Sequence, residues 1–303
     1  MTTILDIPGT NPPNPFSTPI QSYLTPSNIS SAPSPKETAN HLVNTVTTSS
    51  APAHALWELW DAFFTSIATS PSYETHITLL DAIQAQPPTQ LNLRAKSALR
   101  KYIGTDGKLH WQTLPLFGAQ WREVHDTLEA WRDWDGVRDL SVGVNSVSAL
   151  SSSCDKYFLR FCVFSAALLK SPKGKGMMHP IWVFYACRDV LEREGPQSCQ
   201  PKAHRMSSEQ VWELDVRIAA IWMRDGGRAL WETDYDELRR DWAAALDDPT
   251  ELWPREDGLT RERWGLWEER LRVLGTKEIF NEETRAVVTE AAEVVSSILE
   301  DST

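Results

Sequence analysis

Apolar residues return along most of this chain at intervals of three and four, the spacing that places them on one face of an α-helix. In "HALWELWDAFFTSI", Leu56, Leu59, Trp60, Phe63 and Ile67 keep to one stripe, which Trp57 and Phe64 widen. That width predicts a helix buried on most sides. Trp121, Val124, Leu128 and Trp131 repeat the spacing, as do Val211, Leu214, Ile218 and Ile221. Trp264, Trp267, Leu271 and Leu274 do so again. Tyr157, Phe161, Phe164 and Leu168, and Val287, Ala291, Val294 and Ile298, follow the four-three-four variant. No segment sustains the alternation of a strand. The class expected is all-α, a single bundle of roughly ten helices over residues 37–303.

The breaks between stripes are chemically plain. "SPKGKGMMHP" and "GPQSCQPKAHRMSS" interrupt the pattern with Pro and Gly, and Ser207 or Ser208 can cap the helix that follows. "DDPTELWPREDG" is an acidic loop before "LTRERWGLWEERLRVLG", where Thr260 suits the N-cap and Glu262 the positive end of the helix dipole. Gly265 costs roughly 1 kcal/mol against Ala in a helix interior, so close approach by a neighbour is expected there. Residues 1–36 are different. Eight prolines among Ser, Thr and Asn leave too little apolar surface to offset ordering, so this segment reads as a disordered tail.

Composition narrows the partners. The formal charge is −11, and residues 228–303 hold 20 acidic against 10 basic residues. A nucleic acid needs a basic face, so it is not expected as a partner. The acidity suits solvated helix faces, or a surface for a basic protein. No basic start precedes an apolar run and no apolar stretch spans a bilayer, so neither secretion nor membrane insertion is expected. Cys154, Cys162, Cys187 and Cys199 show neither zinc-knuckle nor redox spacing, and the first three adjoin apolar runs. This suits a reducing compartment, the cytoplasm or nucleus.

Fourteen tryptophans invite a functional reading. Those that line stacking sites usually sit near basic grooves or irregular backbone. Trp264, Trp267, Trp121 and Trp131 stand at core spacing instead and read as packing residues. Trp111 and Trp253 lie beside turns and are the better candidates for a rim or ligand contact.

Catalytic patterns fail in turn. "GTDGK" is too short for a phosphate loop, and "KGKG" at 173–176 reads as a solvated linker. Ser153 and Lys156 fit Ser-x-x-Lys without a partner motif. "TDYDELRRD" lacks the glycine of a calcium loop, and "DDPTE" has no second metal motif. His125 and Glu129 stand four apart, but two ligands are too few for a metal. No cofactor, metal or catalytic residue is therefore expected. Arg122, Glu192 and Arg263 are charged and adjoin apolar stripes or helix ends, so partial burial with a partner is expected. With Trp111, they are the candidates for a pocket or partner site.

Four stretches occur in a telling order: "LHWQTLPLFGAQWREV", "YACRDVLERE", "RIAAIWMRDGGRALWE" and "GLTRERWGLWEERLRVL". Over about residues 50–300 they resemble a fungal family known as domain of unknown function 3632. The family's Trp-x-x-Leu-Pro step falls on Trp111, Leu114 and Pro115. Its Ala-Leu-Glu helix end falls on Val190, Leu191 and Glu192, with Val a mild departure. Its Ala-rich helix carrying Trp falls on Ala219, Ala220 and Trp222, and its Arg-Trp-x-x-Trp helix on Arg263, Trp264 and Trp267. The resemblance implies an all-helical intracellular protein and carries over no active site. Two functions remain in view: a non-catalytic interaction or structural protein, and a protein that binds a small apolar molecule, such as an accessory or enzyme of fungal secondary metabolism.

Overall fold

The computed structural model describes residues 14–25, 33–69, 72–91, 99–134, 137–138, 152–171, 177–196 and 205–301. Among these residues the chain forms eleven α-helices, two short 3-10 turns and one two-residue antiparallel ladder, Val137 with Ser153 and Arg138 with Ser152. The all-α class holds. The chain divides into two compact units: residues 1–132 with 136–161, and 133–135 with 162–303.

The first unit contains α1 (Ser17–Leu24), α2 (Pro35–Thr48), α3 (Pro52–Thr69), α4 (Tyr73–Gln84), α5 (Phe117–Trp131) and the start of α6 (Cys154–Lys170). Its core is the stripe read in α3. Leu56, Leu59, Trp60, Phe63, Phe64 and Ile67 are all buried. The Trp60 ring meets Phe117 edge-on at 5.2 Å, and Phe64 meets Phe161 at 5.7 Å. Buried polar tips find acceptors, as they must. The Trp60 indole donates to the Pro115 carbonyl at 2.7 Å, and the Tyr157 hydroxyl to the Phe64 carbonyl at 2.7 Å. Pro115 lies between Leu114 and Leu116, both at positive φ. A leucine is costly there, by roughly 1–2 kcal/mol each. The captured carbonyl and the start of α5 hold the kink in place.

The segment read as a disordered tail is ordered in part. Phe16 at the N-cap of α1 and Ile20 and Tyr23 on that helix are buried, and Ser34 opens α2 with a capping box to Glu37. Three apolar residues at helical spacing outweigh the surrounding prolines, because a neighbouring surface is there to bury them. Residues 1–13 and 26–32 of that segment lie outside the described residues.

The second unit contains the end of α6, then α7 (Ile181–Leu191), α8 (Ser208–Trp231), α9 (Tyr235–Leu246), α10 (Arg261–Gly275) and α11 (Glu282–Glu300). Helix α8 packs against α7 and α11, and α10 packs against α11. Ser207 caps α8 in a box with Gln210, and the Thr260 hydroxyl accepts from the Arg263 amide at 3.3 Å. Central position makes α8 buried almost all round: Trp212, Val216, Ala219, Ala220, Trp222 and Met223 are as enclosed as Leu214, Ile218 and Ile221 of the stripe read from the sequence, while Val211 is half-buried. On α11 the buried stripe runs through Val288, Ala291, Val295 and Ile298, with Val287 and Val294 half-buried. The paired valines satisfy either register, and packing chooses. Arg217 pairs with Glu283, Arg224 with Glu290 at 3.1 Å, and Arg228 with Asp301 at 2.9 Å. Part of the local acidity is thus balanced by α8.

The close approach expected at Gly265 occurs elsewhere. A Cβ on Gly226 of α8 would stand 2.7 Å from Val183 of α7, whereas one on Gly265 would meet nothing within 4 Å. Gly265→Ala is therefore expected to raise unfolding free energy by about 0.5–1 kcal/mol, measured by urea denaturation. Among the described residues no helix is long and apolar enough to cross a membrane. Cys154, Cys162 and Cys187 are buried thiols, and Cys199 lies outside the described residues.

Candidate functional site

The most charged place in the interior lies in the second unit. Glu192 follows the last turn of α7, and Arg263 stands in the first turn of α10. Each is completely buried. An ion there must recover its lost hydration through geometry and hydrogen bonds. Both ions do so. Arg263 Nε reaches Glu192 Oε1 at 2.6 Å and Nη2 reaches Oε2 at 2.9 Å, a two-pronged pair. Trp267 Nε1 donates to Oε1 at 2.9 Å and the Thr250 hydroxyl to Oε2 at 2.7 Å. Arg263 Nη1 donates to the carbonyls of Leu246 at 2.6 Å and Gly258 at 2.9 Å. The guanidinium also lies 4.9 Å from the centre of the Phe184 ring.

This network ties the acidic loop between α9 and α10 to two helices. The Leu252 amide donates to the Glu192 carbonyl at 3.0 Å. The Thr250 amide donates to the Trp253 carbonyl at 2.9 Å, and the Trp253 indole to Asp257 at 3.0 Å. Gly258 closes the loop at φ +77, where a Cβ would stand 2.5 Å from the Tyr235 hydroxyl. Each oxygen of Glu192 accepts two hydrogen bonds, which fills its lone-pair directions. Such a carboxylate is committed to holding the loop.

An open cleft of about 500 Å³ lies beside the network, lined by Arg188, Asp189, Arg193, Glu194, Thr250 and Glu251 among others. Thr250 belongs to both. The cleft carries both signs of charge. Arg188 pairs with Asp248 and stands 3.3 Å from Asp189, whose carboxyl is raised from its usual range by desolvation despite Arg188 and Arg193. A shallower groove of about 420 Å³ follows α10 and α11, lined by Arg272, Thr289, Glu293, Ser296 and Glu300 among others.

A second polar pair sits inside the first unit. His76 Nδ1 faces the Ser72 carbonyl at 3.0 Å, so this nitrogen carries the proton, and Nε2 faces the Ser66 hydroxyl at 3.0 Å. That hydroxyl also lies 2.6 Å from the Phe63 carbonyl. Serine beside histidine is the start of a nucleophilic dyad. Here both side chains are buried, and neither described cleft includes them. Desolvation lowers the His76 pKa from 6.5 to about 4. The unfolded chain therefore takes up a proton that the folded one refuses. This contribution is complete above about pH 6.5 and is lost as pH falls toward 4, by about 3 kcal/mol. His76→Gln is expected to flatten the pH dependence of unfolding free energy by one proton in that window.

The four sequence candidates separate. Glu192 and Arg263, selected individually, are each other's partners. Trp111 is not a rim residue: it is fully buried, with its indole donating to Thr89 at 3.1 Å, because the turn beside it folds inward. Arg122 is not partly buried but exposed on α5, since the neighbouring Trp121 and Val124 take the inward positions. Trp253 is also buried and plugs its loop. Sequence reasoning missed Thr250, which carries no charge to draw attention. Lys173 and Lys175 lie outside the described residues.

A family model described as "Protein of unknown function (DUF3632)" matches residues 60–271, a span that includes Glu192, Thr250, Arg263 and Trp267. No curated protein and no solved structure matches the chain.

Proposed function

Because the chain belongs to the DUF3632 family, whose description names no activity, we propose a role from its surface: a non-catalytic protein that binds a basic partner through the second unit. The observation that carries this reading is a stripe on α10. Glu262, Leu266, Glu269 and Val273 follow the spacing of one helical face, turned away from the buried Trp264, Trp267 and Leu271. Glu262, Glu269 and Val273 are exposed. The turn after α10 continues the pattern with Glu278 and Ile279, the latter 69% exposed. Alternating carboxylates and apolar side chains suit an amphipathic basic helix, with charge steering approach and apolar contacts adding affinity.

The cleft beside the Glu192–Arg263 network is open and lined mainly by charged and polar groups. A site for an apolar molecule is typically concave and mostly apolar, so this cleft favours the protein partner. Binding of a synthetic Lys/Leu amphipathic helix, followed by fluorescence anisotropy, tests the proposal. Wild type is expected to bind with an affinity that falls as salt rises. Glu262→Lys/Glu269→Lys is expected to weaken binding about tenfold or more, while Glu123→Lys in the first unit leaves it unchanged. Equal binding by all three proteins would refute the assignment.

A further inference from the structure

The sequence offers His125 and Glu129 as two possible metal ligands on α5, and the structure adds a third. Nδ1 of His125 stands 3.3 Å from Asp126 Oδ1 and 4.0 Å from Glu129 Oε2. One ligand atom from each of the three residues falls within 4.8 Å of the other two. We propose that His125, Asp126 and Glu129 bind a divalent transition-metal ion, with zinc as the best fit to one imidazole and two carboxylates.

Three features support the assignment. First, the imidazole is held in place. It stacks on Trp121 at 5.1 Å and 27°, and meets Phe158 edge-on at 5.8 Å. Its side chain is only 12% exposed, so little rotamer freedom remains to be lost on binding. Second, the nitrogen directed at the carboxylates is the one that would ligate. Two ligand atoms bound to one metal at about 2.0–2.2 Å must lie about 3–3.5 Å apart. The His125–Asp126 separation already falls in that range. Glu129 must move inward by about 1 Å, which its half-exposed side chain permits. Third, the ligand set is balanced chemically. Imidazole favours zinc, copper or nickel over calcium and magnesium, whose sites are built from oxygen. Two carboxylates cancel the dication, and water completes the coordination.

The other histidine–carboxylate pairs are poorer sites. His54 with Glu58, His110 with Asp106 and His179 with Glu237 each offer two ligands. The tightest zinc site among the described residues is therefore the one on α5.

Zinc chloride titrated calorimetrically into the metal-free full chain tests this. One saturable site per chain is expected. Asp126→Asn/Glu129→Gln alters only exposed side chains and is expected to weaken that site about tenfold or more while leaving the melting temperature of the metal-free protein unchanged. His125→Phe, which keeps the aromatic stack, is expected to do the same, and His110→Phe is expected to have no effect. Calcium is expected not to compete. The proposal is overturned if no saturable binding occurs, if Asp126→Asn/Glu129→Gln and His125→Phe bind as wild type does, or if His110→Phe alone removes the site.

Discussion

Glu192→Gln is expected to lower the unfolding free energy of the second unit by about 3–5 kcal/mol, read from the midpoint of urea denaturation at constant slope. The substitution preserves shape but removes the charge, leaving a guanidinium enclosed beside a neutral amide. Arg263 is completely buried, so no water can replace the lost partner. Arg263→Ala is expected to cost as much from the other direction. It strands the carboxylate and also leaves the carbonyls of Leu246 and Gly258 without a donor. Either loss is a large part of a typical domain's 5–15 kcal/mol. Both variants are also expected to loosen the loop between α9 and α10, seen as faster amide exchange at Thr250 and Leu252.

The second large effect concerns the tryptophans of α10. Trp264→Ala is expected to cost about 3–5 kcal/mol, because removing a buried indole leaves a cavity that neighbours fill only in part. Its ring lies 5.2 Å from both Trp231 and Trp267, so the loss also breaks an aromatic cluster. Trp267→Phe separates two roles of the other residue. It keeps most of the ring but deletes the N–H that donates to Glu192, for an expected cost of about 1–3 kcal/mol. A Trp264→Ala protein with wild-type stability that had lost only ligand binding would show that the indole serves recognition instead of packing.

Much of this was legible because helical burial leaves a periodic trace. Trp264, Trp267, Leu271 and Leu274 announce their face by spacing, Thr260 announces its cap by type and place, and packing chooses Ser207 over Ser208 for the other. Glu192 and Arg263 stood out as charges against apolar surface. Their pairing did not, because 71 residues separate them and only the packing of α7 and α10 brings them together. Local pattern also misled where tertiary contact decides. Trp111 sits beside a turn yet points inward, Ile20 sits among prolines yet is buried, and the valine pairs of α11 fit two registers equally. Asp126 was invisible as a ligand because adjacent helical residues diverge, and only the side-chain geometry brings its carboxylate toward His125.

The acidic quarter of the chain shows the same division between composition and structure. Glu283, Glu290 and Asp301 are engaged by arginines of α8. Exposed pairs of this kind contribute little to stability, about 0–1 kcal/mol each. They do subtract from the charge available to a partner, which shifts attention to the stripe on α10.

A double-mutant cycle on Glu192→Ala and Arg263→Ala, followed by urea denaturation, tests the central physical argument most directly. If the two residues form one enclosed unit, the losses are not additive, and a coupling energy of about 2–3 kcal/mol is expected. Additive losses, with coupling indistinguishable from zero, would contradict the account.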